Sequence, residues 1–171
     1  MSKFEFSEEV LKWSHVWSPM EDCTEIEIRI INRIFENPDF KFDEEKKCFI
    51  LENLRINNLR LKRLTFLPPL IIITTFNCSY NRIESLEGGP IEAIKYICNN
   101  NKLKDLRGAP KKCAWFECHV NPLEDFRVYA EPYYYYNTPN DSKLIFLDSN
   151  IWNNEEYDNN RDNIDISECY L

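Results

Sequence analysis

Cysteine offers this chain its most versatile chemistry, and its spacing is regular. Cys78, Cys98 and Cys118 lie 20 residues apart, Cys113 stands just before the last of them, and His119 follows it directly. Thiolates beside an imidazole are the ingredients of a metal site, and Cys113-x4-Cys118-His119 has ligand-like spacing. The flanking residues argue for a different role. Three segments share one frame: Ile73-x-x-Phe76-x-Cys78-x-x-Asn81-x-Ile83-x-x-Leu86, Ala93-x-x-Tyr96-x-Cys98-x-x-Asn101-x-Leu103-x-x-Leu106 and Cys113-x-x-Phe116-x-Cys118-x-x-Asn121-x-Leu123-x-x-Phe126. A fixed period of this length marks stacked structural units. In that frame the cysteines occupy apolar positions, where a thiol behaves as a small core residue, and His119 turns to the opposite face. The expectation is buried, inert thiols with no metal and no cofactor.

Other chemistry has little to stand on. His15 and His119 are the two histidines, and neither lies in a setting that pairs a nucleophile with a base. Three glycines, two of them in Gly88-Gly89, cannot build a phosphate-binding loop. The carboxylate clusters Asp43-Glu44-Glu45 and Glu155-Glu156 read as solvated surface. Catalysis is not expected.

Composition narrows the setting. With 171 residues the chain can bury a real core as one domain. No apolar run reaches the roughly 18 residues of a membrane span, so no membrane partner is expected. The opening MSKFEFSEEVLKW is acidic where a secretion signal needs a basic start and an apolar stretch. Seven cysteines are an odd number, and three keep the repeat register, so free thiols in a reducing compartment fit better than a disulfide framework. These readings place the protein inside the cell, in the cytoplasm or packaged in a virion. The net charge is −8, of which residues 141–171 supply −6. An acidic chain repels phosphate backbones, so nucleic acid is not expected as its partner.

Residues 1–48 read as a helical N-terminal cap with a connector. Ser7-Glu8-Glu9 opens a short helix through Trp13 that Pro19 ends. Thr24-x-x-Glu27 is a capping box ahead of a stripe of Ile26, Ile30 and Ile34, with Ile31 and Phe35 beside it, and Asn37-Pro38 stops that second helix. The charged stretch from Phe40 to Lys47 is expected to link cap to repeats. Residues 49–128 hold four repeats, because Leu51-x-x-Leu54-x-Ile56-x-x-Leu59-x-Leu61-x-x-Leu64 fits the same frame with Leu59 in place of asparagine. Residues 129–171 read as a degenerate closing repeat, with Tyr133 and Tyr136 in frame, and an acidic C-terminal segment.

These frames resemble the leucine-rich repeat, L-x-x-L-x-L-x-x-N-x-L, in its shortest form of about 20 residues. The likeness covers Leu51 to Phe126 and is similar to short repeats of bacterial effectors and of proteins from large DNA viruses. It implies a repeat solenoid: a right-handed parallel β-sheet forming a short horseshoe segment, behind an N-terminal α-helical cap. Effectors of that kind can carry a separate ubiquitin-ligase domain, for which this chain has no room. Phe6-Ser7-Glu8-Glu9-Val10-Leu11 faintly resembles the start of an F-box, without its Leu-Pro opening.

Alternation along each strand then sorts the side chains. Asn81, Asn101 and Asn121 turn inward as a structural ladder whose amides satisfy backbone groups left free at the bend. The exposed strand face comprises Asn53, Arg55, Asn57 and Asn58; Thr75, Asn77, Ser79 and Tyr80; Lys95, Ile97, Asn99 and Asn100; and Trp115, Glu117, His119 and Val120. Arg55, Asn77, Tyr80, Lys95, Ile97, Asn99, Trp115, Glu117 and His119 are the candidates for contacting a protein partner, Trp115 foremost as a typical interface anchor. Equally open is that Trp115 packs beneath the terminal segment, against the Tyr133–Tyr136 run. Non-enzymatic protein binding is the first expectation. A structural component of an assembly, such as a minor virion protein, and a ubiquitin-ligase substrate adaptor are the alternatives.

Overall fold

A computed structural model describes residues 5–124 of the chain, the side chain of Ala114 apart. Two helices, α1 (Glu8–Lys12) and α2 (Glu25–Phe35), precede five strands: β1 (Lys41–Asp43), β2 (Cys48–Arg55), β3 (Leu70–Asn77), β4 (Glu92–Ile97) and β5 (Lys112–Glu117). The strands form one sheet in chain order, with β1 antiparallel to β2 and all later pairs parallel. The chain is thus a β-solenoid of about three turns, each leading from one strand of the series β2–β5 to the next. The expected closing repeat with Tyr133 and Tyr136, the acidic segment and Phe126 lie outside the described residues.

Stacking puts equivalent residues in register. Leu54, Phe76, Tyr96 and Phe116 pair across neighbouring strands and are all buried. Ring centroids in this row are 4.7 Å apart for Phe76–Tyr96 and 5.5 Å for Tyr96–Phe116, close enough for aromatic contact. Ile56, Cys78, Cys98 and Cys118 form the next buried row, followed by Leu61, Ile83 and Leu103, then by Leu64, Leu86 and Leu106. Backbone pairing runs past the strand ends, since Cys78, Cys98, Tyr80 and Asn100 donate to Ile97, Glu117, Asn99 and His119 respectively.

The return path is turns, as the short spacing requires. Leu67, Gly89 and Ala109 each donate to the carbonyl three residues back, at Leu64, Leu86 and Leu106. Gly88 and Gly108 sit at φ +80° and +81°, and a Cβ on either would strike backbone of the preceding coil, at Thr65 and at Leu86–Glu87. The first coil has no coil beneath it, and the buried Phe66 stands two residues after Leu64 at the equivalent place.

The second coil departs from the expected frame. The repeat frame puts Ile73 at the first inward position, yet it is 48% exposed, and Ile72 is buried in its place. Ile72 aligns with Leu51 and Ala93, whereas Thr75 aligns with Asn53 and Lys95, so β3 carries one residue more than either neighbour between these points. A bulge absorbs it and turns Ile73 outward. Within Ile71-Ile72-Ile73 hydrophobicity cannot choose the register.

At the N-terminal end Thr24 caps α2 as its sequence predicts: its amide donates to Glu27 Oε2 at 2.7 Å, and its Oγ1 accepts from the Glu27 amide. The buried Ile30, Ile31, Ile34 and Phe35 of α2 and Val10 of α1 join the same core cluster as β2. Rings of Trp13, Phe35, Phe40 and Phe42 surround the fully buried Phe49, each with its centroid within 5.3 Å of it. The Phe40–Lys47 stretch is more than a connector, because it supplies β1 and a turn in which Asp43 accepts from the amides of Glu45 and Lys46. It pairs with part of an edge that β2 would otherwise expose. No helix among the described residues is long and apolar enough to cross a membrane.

Arg63, in the first coil, ties this region down through Glu27 at 3.0 Å and Asp22 at 2.9 Å. Burial alone would raise the Glu27 carboxyl, but hydrogen bonds from Arg63 and Thr24 outweigh it and hold the group below its ordinary value. Arg63 also lowers Asp22. A depressed folded-state pKa stabilises the protein above the unfolded value, and the benefit vanishes as pH falls through the folded one. The melting temperature of wild type should therefore drop more steeply below the ordinary carboxyl range than that of Arg63→Gln. Parallel pH profiles for the two proteins would refute the assignment.

Candidate functional site

The outward side of the sheet is organised by the same register. Arg55, Asn77, Ile97 and Glu117 pair from strand to strand and form one row. Asn53, Thr75, Lys95 and Trp115 form a second row beside it. Among the predicted residues, Lys95, Trp115 and Glu117 come together most closely. Trp115 Nε1 donates to Glu117 Oε1 at 2.6 Å, and Lys95 Nζ lies 2.9 Å from the same oxygen and 4.8 Å from the Trp115 ring centroid. The ion pair and the cation–π contact are each worth about 1 kcal/mol or less at an exposed site. Their effect is geometric: they satisfy the indole N–H and fix a ring that remains 39% exposed.

The rest of the predicted set divides. Tyr80 is 59% exposed and lies just past the strand at φ +55°. Asn58, Asn100 and Val120, its equivalents in the other coils, share that left-handed conformation, at φ +58°, +55° and +54°. Asparagine tolerates it, whereas a tyrosine or a β-branched valine is held there against its preference. Asn77 is half-buried, and its Oδ1 accepts from the Ser79 amide and hydroxyl at 3.0 and 2.6 Å. Asn99 and Ser79, expected on the exposed face, are buried at 7% and 4% exposure. At these positions the chain is already bending toward the core, and Asn99 Nδ2 packs 3.0 Å from His119 Nε2. Asn99 therefore supports His119 rather than presenting itself.

Two residues absent from the predicted set enlarge the face. Ile73 and Ile94 are 48% and 55% exposed on adjacent strands. Ile94 occupies the position after the first inward residue of its repeat, where the frame itself indicates an outward side chain. Ile73 had no such signal, because only the bulge exposes it.

Inside, the asparagines follow one pattern. Asn101 Nδ2 donates to Cys98 O of its own coil and Cys78 O of the preceding one, both at 3.0 Å, while its Oδ1 accepts from the Ile83 amide at 3.0 Å. Asn121 repeats this with Cys118 O, Cys98 O and the Leu103 amide. Asn81 does so with Cys78 O and Ile56 O, and accepts from both Leu59 and Leu61 amides. Each amide thus reaches back one coil. Leu59 has no earlier coil to reach, its own amide is satisfied by Asn81, and its side chain packs against the core.

The thiols between these rungs are sealed. Cys78, Cys98 and Cys118 are fully buried, and Cys113 is 4% exposed with its Sγ donating to Trp115 O at 2.9 Å. Burial pushes the Cys113 thiol up to about 12 and also raises Cys78 and Cys98 well above the ordinary thiol value, Cys98 with help from the neighbouring sulfurs. Such groups are poor nucleophiles and poor ligands at neutral pH. Among the described residues no cluster of three His, Cys, Asp or Glu side chains could hold a metal ion. Compared with known protein families, curated proteins and solved structures, the chain matches none of them.

Replacing Asn101 by Leu orphans the Ile83 amide and removes one of the two asparagine donors at Cys78 O and at Cys98 O, which should cost about 1–3 kcal/mol in urea denaturation. Leu59→Ala, which removes a half-buried apolar group and no hydrogen bond, should cost less. An Asn101→Leu loss below that of Leu59→Ala would contradict the bridging role. Iodoacetamide labelling read by mass spectrometry should modify Cys78, Cys98 and Cys118 only as fast as the protein unfolds. Labelling of Cys98 in the native state ahead of Cys23, which is half-buried, would show that the stack opens locally.

Proposed function

We propose that the chain is a non-enzymatic protein-binding module of the leucine-rich-repeat type, engaging its partner through the strand face. In this reading the helical region up to β1 caps the first coil, and the outward rows of β2–β5 are the recognition surface. The observation that carries it is the exposed Trp115 ring, held in one orientation by Lys95 and Glu117, with exposed Ile94 on the adjacent strand and exposed Ile73 on the strand beyond it. An aromatic anchor with its polar atom already satisfied loses little on desolvation, and its rotamer is partly ordered before binding. Left-handed Tyr80 and Val120, each about 60% exposed, supply further apolar surface at the adjoining bend, where a less strained residue would serve structure better.

Affinity capture with wild type and with Trp115→Ala, followed by mass spectrometry, tests this. Trp115→Ala should remain folded by circular dichroism and lose the specific partner by at least about 2 kcal/mol, roughly 30-fold in affinity. Lys104→Ala, on the exposed turn away from the sheet, should capture as wild type does. Undiminished capture by both Trp115→Ala and Ile94→Glu would rule out the strand face as the interface.

A further inference from the structure

A hollow of about 70 Å³ opens where the C-terminal end of α2 meets β2, along the part of β2 that extends past its pairing with β1. Its floor is apolar and buried, formed by Ile34, Leu51 and Leu54. Its rim is Arg33, Asn37, Asn53 and Arg55. What distinguishes this rim is the kind of hydrogen-bonding group left over. Asn37 Oδ1 already accepts from the Asp39 amide at 2.8 Å, and Asn53 Oδ1 accepts from the Thr75 amide at 3.2 Å. Each of these oxygens thus has one lone pair turned to the backbone, both NH₂ groups are left to donate, and a guanidinium can only donate. The ion pairs that arginines make among the described residues involve Arg29, Arg63 and Arg107, leaving Arg33 and Arg55 without a carboxylate. Among the described residues no acidic side chain lines the hollow.

Four donor side chains thus surround a small space over an apolar floor, which weakens solvent screening of any charge placed there. Arg60, Arg82 and Lys102 offer a useful contrast. They occupy equivalent places in successive coils, also without ion pairs, and are exposed as Arg33 and Arg55 are, but they lie on turns and do not line this hollow. The geometry points to the hollow as a carboxylate-binding site, sized for one acid group and suited to charge-assisted hydrogen bonds from paired guanidiniums. Its ligand is an aspartate or glutamate side chain of the protein bound at the strand face, because Arg55 belongs both to the rim and to the outward row with Asn77, Ile97 and Glu117. The source of the carboxylate rests on the strand-face reading; the chemistry of the site does not.

Titration with sodium acetate against sodium chloride at matched ionic strength, read from arginine Nε–Hε correlations in NMR, tests the site without any partner. Arg33 and Arg55 should shift together along one saturable curve in the millimolar range, while Arg60 and Arg82 drift without saturating. Arg55→Gln should weaken acetate by about tenfold. Asn53→Asp, which keeps the acceptor for the Thr75 amide and so preserves the strand pairing, should abolish saturation. Curves for Arg33 and Arg55 indistinguishable from those of Arg60 and Arg82 would overturn the proposal. Inorganic phosphate binding at least tenfold more tightly than acetate would overturn the carboxylate assignment. Saturable acetate binding together with full capture by both Trp115→Ala and Ile94→Glu would sink the strand-face reading alone and leave the site standing.

Discussion

One buried amide per coil sets the conditions for everything else in this solenoid. Asn81, Asn101 and Asn121 each bind carbonyls of their own coil and of the one before, and each accepts an amide from that earlier coil. A side chain with two donors and an acceptor in one plane is what this bend requires, since backbone groups turned inward there meet no water. The bond runs backwards along the chain, so the stack has a direction. That direction accounts for the exemptions of the first coil. Leu59 replaces the asparagine, and the buried Phe66 stands where Gly88 and Gly108 later leave room for backbone, because no earlier coil lies beneath either residue.

The outer surface inherits its order from this inner one. Close stacking lines up Asn53, Thr75, Lys95 and Trp115 in one row and Arg55, Asn77, Ile97 and Glu117 in the next. Neighbouring rows then let a glutamate on β5 hold both a lysine from β4 and the indole of its own strand. The contacts add little stability, but they orient an exposed ring. The bulge in β3 works in the opposite sense: it breaks the register locally and places Ile73 beside Ile94, so the apolar part of the face spans two strands.

The N-terminal region packs against the first coil. β1 pairs with part of the open edge of β2, and α1 and α2 lay their apolar residues against the aromatic cluster around Phe49. The ion pairs of Arg63 with Glu27 and Asp22 fasten this arrangement from the solenoid side. Where α2 ends and β2 runs on past β1, coverage is incomplete, and the hollow rimmed by Arg33 and Arg55 is the result.

Much of this was legible in the residues alone. Periodicity names the inward positions of three coils, the capping box of α2 and the ladder asparagines, because each depends on neighbours at fixed separation in the chain. Other features depended on contacts between distant segments. Three consecutive isoleucines satisfy hydrophobic patterning equally well, so pairing with Leu51 and Ala93 had to select Ile72 and expel Ile73. Asn99 lies in an outward position of the frame, yet the bend and His119 of the next coil bury it. In the charged Phe40–Lys47 stretch only Phe40 and Phe42 alternate with polar residues, too short a pattern to announce a strand, and β1 forms there because β2 leaves hydrogen bonds open beside it. Local spacing determined which faces this chain would have; only the packed coils decided the register between them, since a register is a property of two segments and neither carries it alone.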